Sequence, residues 1–445
     1  HRHCTNTLWC RRRRVKRGGQ TVRIGLVGKP NVGKSTFFAA STLIPVDIAN
    51  YPFCTIEPNV GFSFVPSREP CPCMSLRERL EQDGRNQLSD DRGGSICTPR
   101  TGSCEGHRRY VPCMLVDVAG LVPGASEGRG RGNAFLSDLA ECDALIQVID
   151  VAGTTDAEGN PTGLKATKEQ AIEQALAEIT FLTEELDAWV LGLIKEGWAR
   201  GARRIQAEGV KGFTQFLQER LSGLGATDSM CQRAFDTFTQ LHKDMTSPWD
   251  WSDDVLILLA SSLRKQLFPI FIAGNKADMA PDGVLEHLQD TLSQFTPCSA
   301  ETELALRQAN KAGFISYTSG STSFELNQNQ SMSDAQMKGM TVLGERLNKL
   351  QGTGLTKLLD QVLFDELERI VVYPVQDETH WTDGDGNVLP DAFVVQNGIQ
   401  AKQVAYKVHS DLGDGFIKGV DGRTRRIVGA DHELSDGDVL RIHSK

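Results

Sequence analysis

The chain has 445 residues, of which 40% are hydrophobic and 24% charged, and it carries a formal net charge of −9. This length exceeds one ordinary domain core, so we expect two or three domains. The negative net charge excludes a protein that coats nucleic acid, so DNA is not expected as a partner and any RNA contact needs a local basic patch. The apolar runs are too short to span a membrane.

The first segment, residues 1–20, is a basic N-terminal extension. Arginine and lysine dominate from Arg11 to Arg17, and no acidic residue precedes Asp47. A targeting segment, an RNA-binding arm and a disordered tail all fit this composition. No apolar stretch follows, which excludes a secretory signal.

A phosphate-binding loop follows directly. Residues 21–27 predict a first strand and residues 34–42 a first helix, and residues 28–35 between them read Gly-Lys-Pro-Asn-Val-Gly-Lys-Ser. This is a complete G-x-x-x-x-G-K-[ST] motif, in which backbone N–H groups and a helix N-terminus face the phosphates. The predicted nucleotide-binding residues are Asn31, Val32, Gly33, Lys34, Ser35 and Thr36. Lys34 is also predicted to be catalytic, by reaching the β- and γ-phosphates, and Ser35 to bind Mg²⁺.

Two further strands are predicted at residues 60–64 and 111–117. Residues 66–110 between them show no period and predict an irregular surface insertion. It contains Cys71, Cys73, Cys97 and Cys104. Their spacings do not match a standard zinc motif, so free thiols are favoured over a metal site. The eleven cysteines of the chain, an odd number without a repeating pattern, favour reduced thiols in the cytoplasm.

The next motif, Asp117-Val118-Ala119-Gly120, ends a strand-like run. Asp117 is predicted to hold Mg²⁺, and the Gly120 N–H to contact the γ-phosphate, a contact that is lost on hydrolysis. Thr55 is predicted to supply a second hydroxyl to Mg²⁺ from the first switch loop. Thr55 and Gly120 are therefore both assigned catalytic roles.

A long helical stretch separates the next two strands, which are predicted at residues 144–150 and 267–273. Apolar residues recur there at steps of three and four: Ile172, Leu176, Ile179, Leu182, Leu186, Trp189 and Leu193. Two further helical patterns follow, before and after residue 225. An inserted antiparallel helical hairpin or small bundle accounts for them best, with the aromatic stripe as its internal seam.

The base-reading motif is Asn275-Lys276-Ala277-Asp278. The carboxylate of Asp278 can accept hydrogen bonds from guanine N1–H and N2–H₂, which adenine lacks, so GTP is preferred over ATP. Asn275 can tie this loop to the phosphate loop, and Lys276 can lie against the base. Ser299 and Ala300 are expected to present a backbone N–H to guanine O6.

The C-terminal part predicts helices at 253–266, 284–295, 301–312 and 355–369, with less regular chain from residue 313 to 354. Beyond Val371 short alternating strands and Asp-Gly turns predict a separate α+β domain. Basic residues gather there: Lys402, Lys407, His409, Lys418, Arg423, Arg425 and Arg426. Because acidic residues are interspersed, an RNA-binding patch and a mixed solvated surface both remain open.

Residues 28–38, 51–59 and 117–125 closely resemble the Obg-like GTPase family, in its YchF branch, and the resemblance extends over residues 21–445. It implies an α/β fold: a P-loop NTPase G domain with a mostly parallel sheet, an inserted helical, coiled-coil-like domain, and a C-terminal TGS domain with a β-grasp fold. The expected boundaries are 21–165 and 251–370 for the two parts of the G domain, 166–250 for the helical domain and 371–445 for the TGS domain. It also implies an association with ribosomes, and potassium as an additional cofactor with Asn31 as its ligand.

The expected function is a Mg²⁺-dependent GTPase that cycles between GTP and GDP as a molecular switch. Leu121 stands where Ras-type switches carry a water-orienting glutamine, so hydrolysis should be slow. Many members of this branch carry Glu at the position of Asp278 and are regarded as ATPases, so an ATP-using switch is one alternative. The other is an RNA- or ribosome-binding adaptor in which the nucleotide site is structural.

Overall fold

The structure is a computed structural model that describes residues 21–42, 59–84, 91–118, 138–156, 159–163, 166–243 and 246–445. The basic extension at residues 1–20 and the predicted switch residues Thr55 and Gly120 lie outside these ranges.

The centre of the molecule is a seven-stranded sheet. Its strands are β1 (Arg23–Val27), β2 (Val60–Pro66), β3 (Cys104–Glu105), β4 (Arg108–Asp117), β5 (Ala144–Asp150), β6 (Ile270–Asn275) and β7 (Phe295–Pro297). The spatial order is β2-β4-β1-β5-β6-β7, with β3 paired to β4. Strands β4, β1, β5, β6 and β7 are parallel, while β2 and β3 pair antiparallel to β4. This confirms the mostly parallel sheet.

Strand β5 explains why the sheet is covered on both faces. All of its residues are buried. Leu145 and Ile149 belong to one hydrophobic core, and the alternating residues Ile146 and Val148 belong to a second core on the opposite face. A continuous apolar run is the pattern expected for a parallel strand between two layers of helices.

Helices pack into both of these cores, and others pack into smaller clusters elsewhere in the described part of the chain. The helices are α1 (Lys34–Thr42), α2 (Cys73–Gln82), α3 (Lys168–Lys195), α4 (Trp198–Leu221), α5 (Asp228–Leu241), α6 (Asp253–Leu267), α7 (Val284–Thr291), α8 (Ala300–Lys311), α9 (Asp334–Leu350), α10 (Leu355–Asp360), α11 (Ala401–Val408) and α12 (Ser410–Asp414). None of the described helices combines the length and the apolar character that crossing a bilayer requires.

The three predicted inserted helices are present as α3, α4 and α5. The most buried side chains of α3 are Ala171, Ala175, Leu182, Leu186, Val190 and Ile194. The predicted stripe was therefore one residue out of phase over much of its length, and its remaining members are only partly buried. The aromatic seam is confirmed: Trp198 stacks on Trp251 with ring centroids 5.9 Å apart, and Phe213 meets Phe235 edge-on at 5.1 Å.

Four predictions of elements were wrong. The helix predicted at 284–295 ends at Thr291, and Phe295 already starts β7. The strand predicted at 267–273 is displaced, because α6 continues to Leu267 and β6 begins at Ile270. The helix predicted at 355–369 consists of α10 and a π-helical segment, Gln361–Glu366, and residue 369 already starts the next strand. The stretch from 313 to 354, predicted to be less regular, contains the seventeen-residue helix α9.

The irregular insertion at 66–110 is also more ordered than predicted. Its described part contains α2 and the β3–β4 hairpin. The four cysteines of this segment are fully buried, because they join the same core as strands β1 and β4.

The C-terminal region forms its own sheet, as predicted. Its strands are β10 (Arg369–Val375), β11 (Phe393–Gln396), β12 (Phe416–Asp421), β13 (Ile427–Val428) and β14 (Val439–Ser444). Earlier in the chain, β8 (Ile315–Ser316) and β9 (Glu325–Leu326) form a separate two-stranded sheet. The order is β11-β10-β14-β12-β13, with β10 and β14 parallel and the other pairs antiparallel. Helix α11 buries Ala401, Val404 and Ala405, which completes a small α+β unit.

Candidate nucleotide-binding site

The phosphate loop lies between β1 and α1 and depends on two glycines. Gly28 has φ +152°, and a Cβ there would lie 2.4 Å from the Val148 carbonyl oxygen. Gly33 has φ +93°, and a Cβ would lie 2.3 Å from Asn275 Nδ2. Only glycine fits such close backbone approaches at positive φ. The loop then turns into α1, whose Phe37 N–H donates to the Gly33 carbonyl at 2.8 Å.

The Lys34 ammonium lies at the carboxyl end of the neighbouring strand β4. Its Nζ is 3.4 Å from Asp117 Oδ1. That oxygen is buried and has no hydrogen-bond partner among the described residues. Ser35 next to Lys34 is exposed. A carboxylate oxygen and a hydroxyl are ligands that Mg²⁺ prefers, so this pair fits the predicted metal.

Asn275 connects the phosphate loop to the base loop. Its Nδ2 donates to the Val32 carbonyl at 2.8 Å, and its Oδ1 accepts from the Ala300 N–H at 3.0 Å. The side chain is 3% exposed. The predicted link between Asn275 and the phosphate loop is present, and the same amide also holds the loop that begins at Ser299.

Lys276 is fixed by three contacts, all made by its ammonium. Nζ donates to Asp150 Oδ2 at 2.9 Å, to Thr154 Oγ1 at 2.8 Å and to the Asn31 carbonyl at 3.0 Å. Burial alone would raise the pKa of Asp150, but the hydrogen bonds from Thr154 and Lys276 outweigh it and the net direction is downward. Asp150 therefore stays ionised and anchors Lys276 beside the phosphate loop.

Asp278 is positioned by Ser299 and Arg346. Ser299 Oγ donates to Asp278 Oδ1 at 2.7 Å. Arg346 Nη1, on α9, is 3.1 Å from Asp278 Oδ2, and the Asp278 side chain is only 3% exposed. Oδ2 nevertheless has no well-aligned hydrogen bond among the described residues. A buried carboxylate oxygen without such a bond is costly unless a ligand supplies the donor.

One part of the base-site prediction was wrong. The N–H groups of Ser299 and Ala300 were expected to face guanine O6, but the first donates to the Thr353 carbonyl at 2.9 Å and the second to Asn275. Neither is left for a base. The contact that Ser299 makes to the site is through its hydroxyl.

Asn31 and Lys29 tie the phosphate loop to other segments. Asn31 Nδ2 donates to the Gly159 carbonyl at 2.9 Å. Lys29 Nζ donates to the Asp156 carbonyl at 2.7 Å and pairs with Glu178 Oε1 at 2.5 Å. Burial raises the pKa of Glu178 to about 7.

Sequence reasoning missed Arg346 and Glu178. Two signals could have found them. Ser333 and Gln336 form a capping box, which marks the start of a helix and would have revealed α9. Glu178 falls between buried positions of α3, and an acidic residue on an apolar helix face indicates a buried partner.

Three family descriptions match successive parts of the chain. Residues 23–185 match "50S ribosome-binding GTPase", residues 273–377 match "Obg-like GTPase YGR210-like, G4 motif-containing domain", and residues 386–444 match "TGS domain". Together they cover the phosphate loop, the base loop and the C-terminal sheet.

Individual relatives extend this likeness along the chain. An uncharacterized GTP-binding protein of Methanocaldococcus jannaschii is 41% identical over 426 residues, which cover 95% of this chain and 98% of that protein. The crystal structure of a GTP-binding protein from Pyrococcus horikoshii OT3 aligns with a TM-score of 0.66 at 32% identity, over 95% of this chain and 100% of that one. A ribosome-binding ATPase YchF of Mycoplasma genitalium is 42% identical over 125 residues, which are 28% of this chain and 27% of that protein.

Proposed function

The chain belongs to the YchF branch of the Obg-like GTPase family of GTP-binding P-loop proteins, and we propose that it hydrolyses GTP slowly and acts as a molecular switch on ribosomes. Its cytoplasmic location, favoured because the eight described cysteines form no disulfide, is part of the same proposal. The observation that carries the choice of GTP is the Asp278 carboxylate, buried at the carboxyl end of β6 with one oxygen held by Ser299 and the other without a well-aligned donor.

Guanine supplies the donors that this carboxylate lacks. Its N1–H and N2–H₂ point in the same direction and can both reach one carboxylate. Adenine offers no such pair, so binding it would leave Asp278 desolvated and unpaired, at a cost of roughly 1–3 kcal/mol or more. A cost of that size corresponds to a preference for guanine of roughly 5- to 150-fold in affinity.

The phosphate end of the site supports hydrolysis. Lys34 would bind the β- and γ-phosphates, and Ser35, Asp117 and Thr55 would hold Mg²⁺. When bound, Mg²⁺ neutralises phosphate charge. The Lys34 ammonium lies 3.4 Å from Asp117 Oδ1, so the residue proposed to bind phosphate is adjacent to a residue proposed to bind Mg²⁺.

Calorimetry with GTP, GDP and ATP in the presence of Mg²⁺ tests the binding step. We expect GTP and GDP to bind roughly 5- to 150-fold more tightly than ATP, and K34A to lose triphosphate binding. Lys311→Ala, a substitution at an exposed lysine on α8, is the matched control and should leave binding unchanged. Equal potency of ATP and GTP in competition would refute the guanine assignment.

ATP use is the second candidate, and one contact favours it. Arg346 lies 3.1 Å from Asp278 Oδ2 and partly satisfies the oxygen that guanine would need. If Arg346 stayed in place on nucleotide binding, discrimination against adenine would weaken. The competition experiment repeated with R346Q separates the two cases, because the substitution should then increase the preference for GTP.

The ribosomal role is supported by the exposed basic surface of the C-terminal unit. Arg423, Arg425 and Arg426 are exposed, next to Ile427 with 67% of its surface exposed. An exposed basic patch beside an exposed apolar residue is more typical of a surface that binds RNA or a ribosomal protein than of a surface that contacts only water. The test is a pull-down of ribosomal subunits with GDP, a non-hydrolysable GTP analogue and no nucleotide. If the protein is a switch, the amount of ribosomal subunit recovered should differ between the three nucleotide conditions. Equal amounts would favour the adaptor.

Potassium dependence is tested separately. Asn31 would be the ligand, through its side-chain oxygen, since its nitrogen already donates to Gly159. Faster hydrolysis in K⁺ than in Na⁺ is expected, and equal rates would remove potassium from the proposal.

A further inference from the structure

Four buried cysteines of the insertion lie close together, and none of them belongs to the candidate nucleotide-binding site. Cys71, Cys73, Cys97 and Cys104 are fully buried. Their Sγ atoms all lie within 4.8 Å of one another. Cys71 and Cys97 are 4.0 Å apart at sulfur, and Cys73 and Cys104 are 3.9 Å apart.

These distances select one kind of centre. Two disulfides would need sulfur pairs about 2 Å apart. In a [4Fe–4S] cluster each thiolate binds a different iron, and in a [2Fe–2S] cluster the two thiolate pairs bind different irons, so both clusters spread the four sulfurs further than is seen here. A tetrahedral zinc ion with Zn–S bonds of about 2.3 Å places its four sulfurs about 3.8 Å apart. The observed pairs are close to that value.

The surroundings of the sulfurs suit thiolates. His107 Nδ1 lies 3.4 Å from Cys73 Sγ, and Ser95 Oγ lies 3.5 Å from Cys104 Sγ. Ser95 Oγ in turn accepts from the His107 N–H at 2.8 Å. Cys73 is the first residue of helix α2, where the helix dipole favours negative charge. Such outer contacts orient and stabilise the ligands of a metal site.

Arg92 contributes the compensating charge. Its Nη2 donates to the Cys97 carbonyl at 2.6 Å, and its Nη1 to the Cys104 carbonyl at 3.4 Å. Zinc with four thiolates retains two negative charges, and a nearby guanidinium offsets part of them. The same contacts fix the backbone on either side of the loop that carries Cys97.

We propose that Cys71, Cys73, Cys97 and Cys104 bind one Zn²⁺ in a structural tetrathiolate site. Each thiol loses its proton to solvent on coordination. With four protein ligands the site is closed, as in structural zinc sites, and has no position left for a substrate. Zinc therefore holds the insertion in its fold.

The insertion held in this way supports the C-terminal unit. Arg109, which is fully buried, donates to the carbonyls of Leu389 and Pro390 at 3.1 and 2.9 Å. The Thr98 N–H donates to the Val388 carbonyl at 2.8 Å. Thr98 follows Cys97 directly, so the zinc ligand positions a residue of the interface. Loss of zinc should loosen the docking of the C-terminal unit.

The test is the metal content of the full-length chain, purified under reducing conditions and measured by elemental analysis. We expect about one zinc per chain in the wild type, and nearly none in C97A and C104A. The matched control is C113A, which removes a buried thiol of β4 outside the cluster and should retain its zinc. Circular dichroism checks that each variant is folded.

A second measurement uses the wild type alone, in case the variants fail to fold. Replacement of the metal by Co²⁺ should give the visible absorption of a tetrahedral cobalt thiolate. Chelation should lower the melting temperature, and added zinc should restore it. Three results would overturn the proposal: wild type without zinc after reconstitution, bound iron instead, or four fewer titratable thiols than the eleven of the chain because of two disulfides.

Discussion

The substitution Asp278→Asn tests base recognition most directly. Ser299 Oγ donates to Oδ1, so it should keep the amide oxygen of Asn on that side and place the amide nitrogen where Oδ2 lies. A donor would then face the donors of guanine. The substitution removes a hydrogen bond to a charged acceptor, which is worth roughly 1.5–3 kcal/mol, and adds repulsion between two donors. Together we expect a loss of about 3 kcal/mol in GTP binding, or roughly 10²-fold in affinity.

Xanthine nucleotides should respond in the opposite direction. Xanthine carries a carbonyl in place of the 2-amino group of guanine, so it can accept from the new amide nitrogen. The measurement is the dissociation constant of GTP, ATP and XTP for wild type and D278N, by displacement of a fluorescent nucleotide. D282N, at an exposed acid four residues further on, is the matched control and should behave as wild type.

The contribution of Arg346 has to be separated from that of the base. D278N also removes the carboxylate that Arg346 contacts, so the D278N/R346Q double variant is measured beside both single variants. The reasoning is refuted if D278N lowers GTP and ATP affinity by the same factor without any gain for XTP. That outcome would mean that Asp278 only stabilises the loop.

Three further changes test the frame around the site. G33A forces a side chain into a φ of +93° and against Asn275 Nδ2, so we expect at least a tenfold loss of GTP affinity by calorimetry with little loss of helix content by circular dichroism. In the folded chain the pKa of Glu178 is raised from 4.5 to about 7, so protonation of this group favours the folded state below pH 4.5. That contribution, roughly 3 kcal/mol, is lost as the pH rises to 7. E178Q should remove the corresponding pH dependence from the urea-unfolding midpoints. Y317F removes the hydrogen bond from Tyr317 Oη to Glu303 Oε2 at 2.7 Å and should lower the free energy of unfolding by about 1–3 kcal/mol in urea, whereas an unchanged midpoint would contradict the role given to this buried bond.

The nucleotide site could be predicted from the sequence because its motifs are local. The bounds of α1 follow from the phosphate loop, and the helix runs from Lys34 to Thr42 as expected. Asn275 and Asp278 follow a buried strand, so their placement at the sheet edge needs only the parallel order of the strands. What remained hidden were contacts from distant segments, such as Arg346 on Asp278.

Helix α9 and the cysteine cluster show why such contacts were missed. Met337 and Val342 of α9 are 43% and 45% exposed, so the helix has too narrow a buried face for a clear apolar period. The cysteines come from the start of α2, a loop and the short strand β3. The spacing of ligands in the sequence reveals a zinc site only when the ligands share a compact local motif. Here Cys104 reaches the other three cysteines through the β3–β4 hairpin.

A buried charge network limits which parts of the G domain can respond to the nucleotide. Arg307 donates to Glu303 Oε1 at 2.5 Å and to the Ser41 carbonyl, near the end of α1, at 3.4 Å. Thr353 Oγ1 donates to Glu303 Oε2 at 2.6 Å, and the Thr353 carbonyl accepts from Ser299. The links from this network to α1 and to the base loop are buried hydrogen bonds, each of which costs about 1–3 kcal/mol to break, so α1, α8 and the base loop should move as one body. A change at the proposed γ-phosphate end of the site should therefore leave the relative positions of α1, α8 and the base loop unchanged.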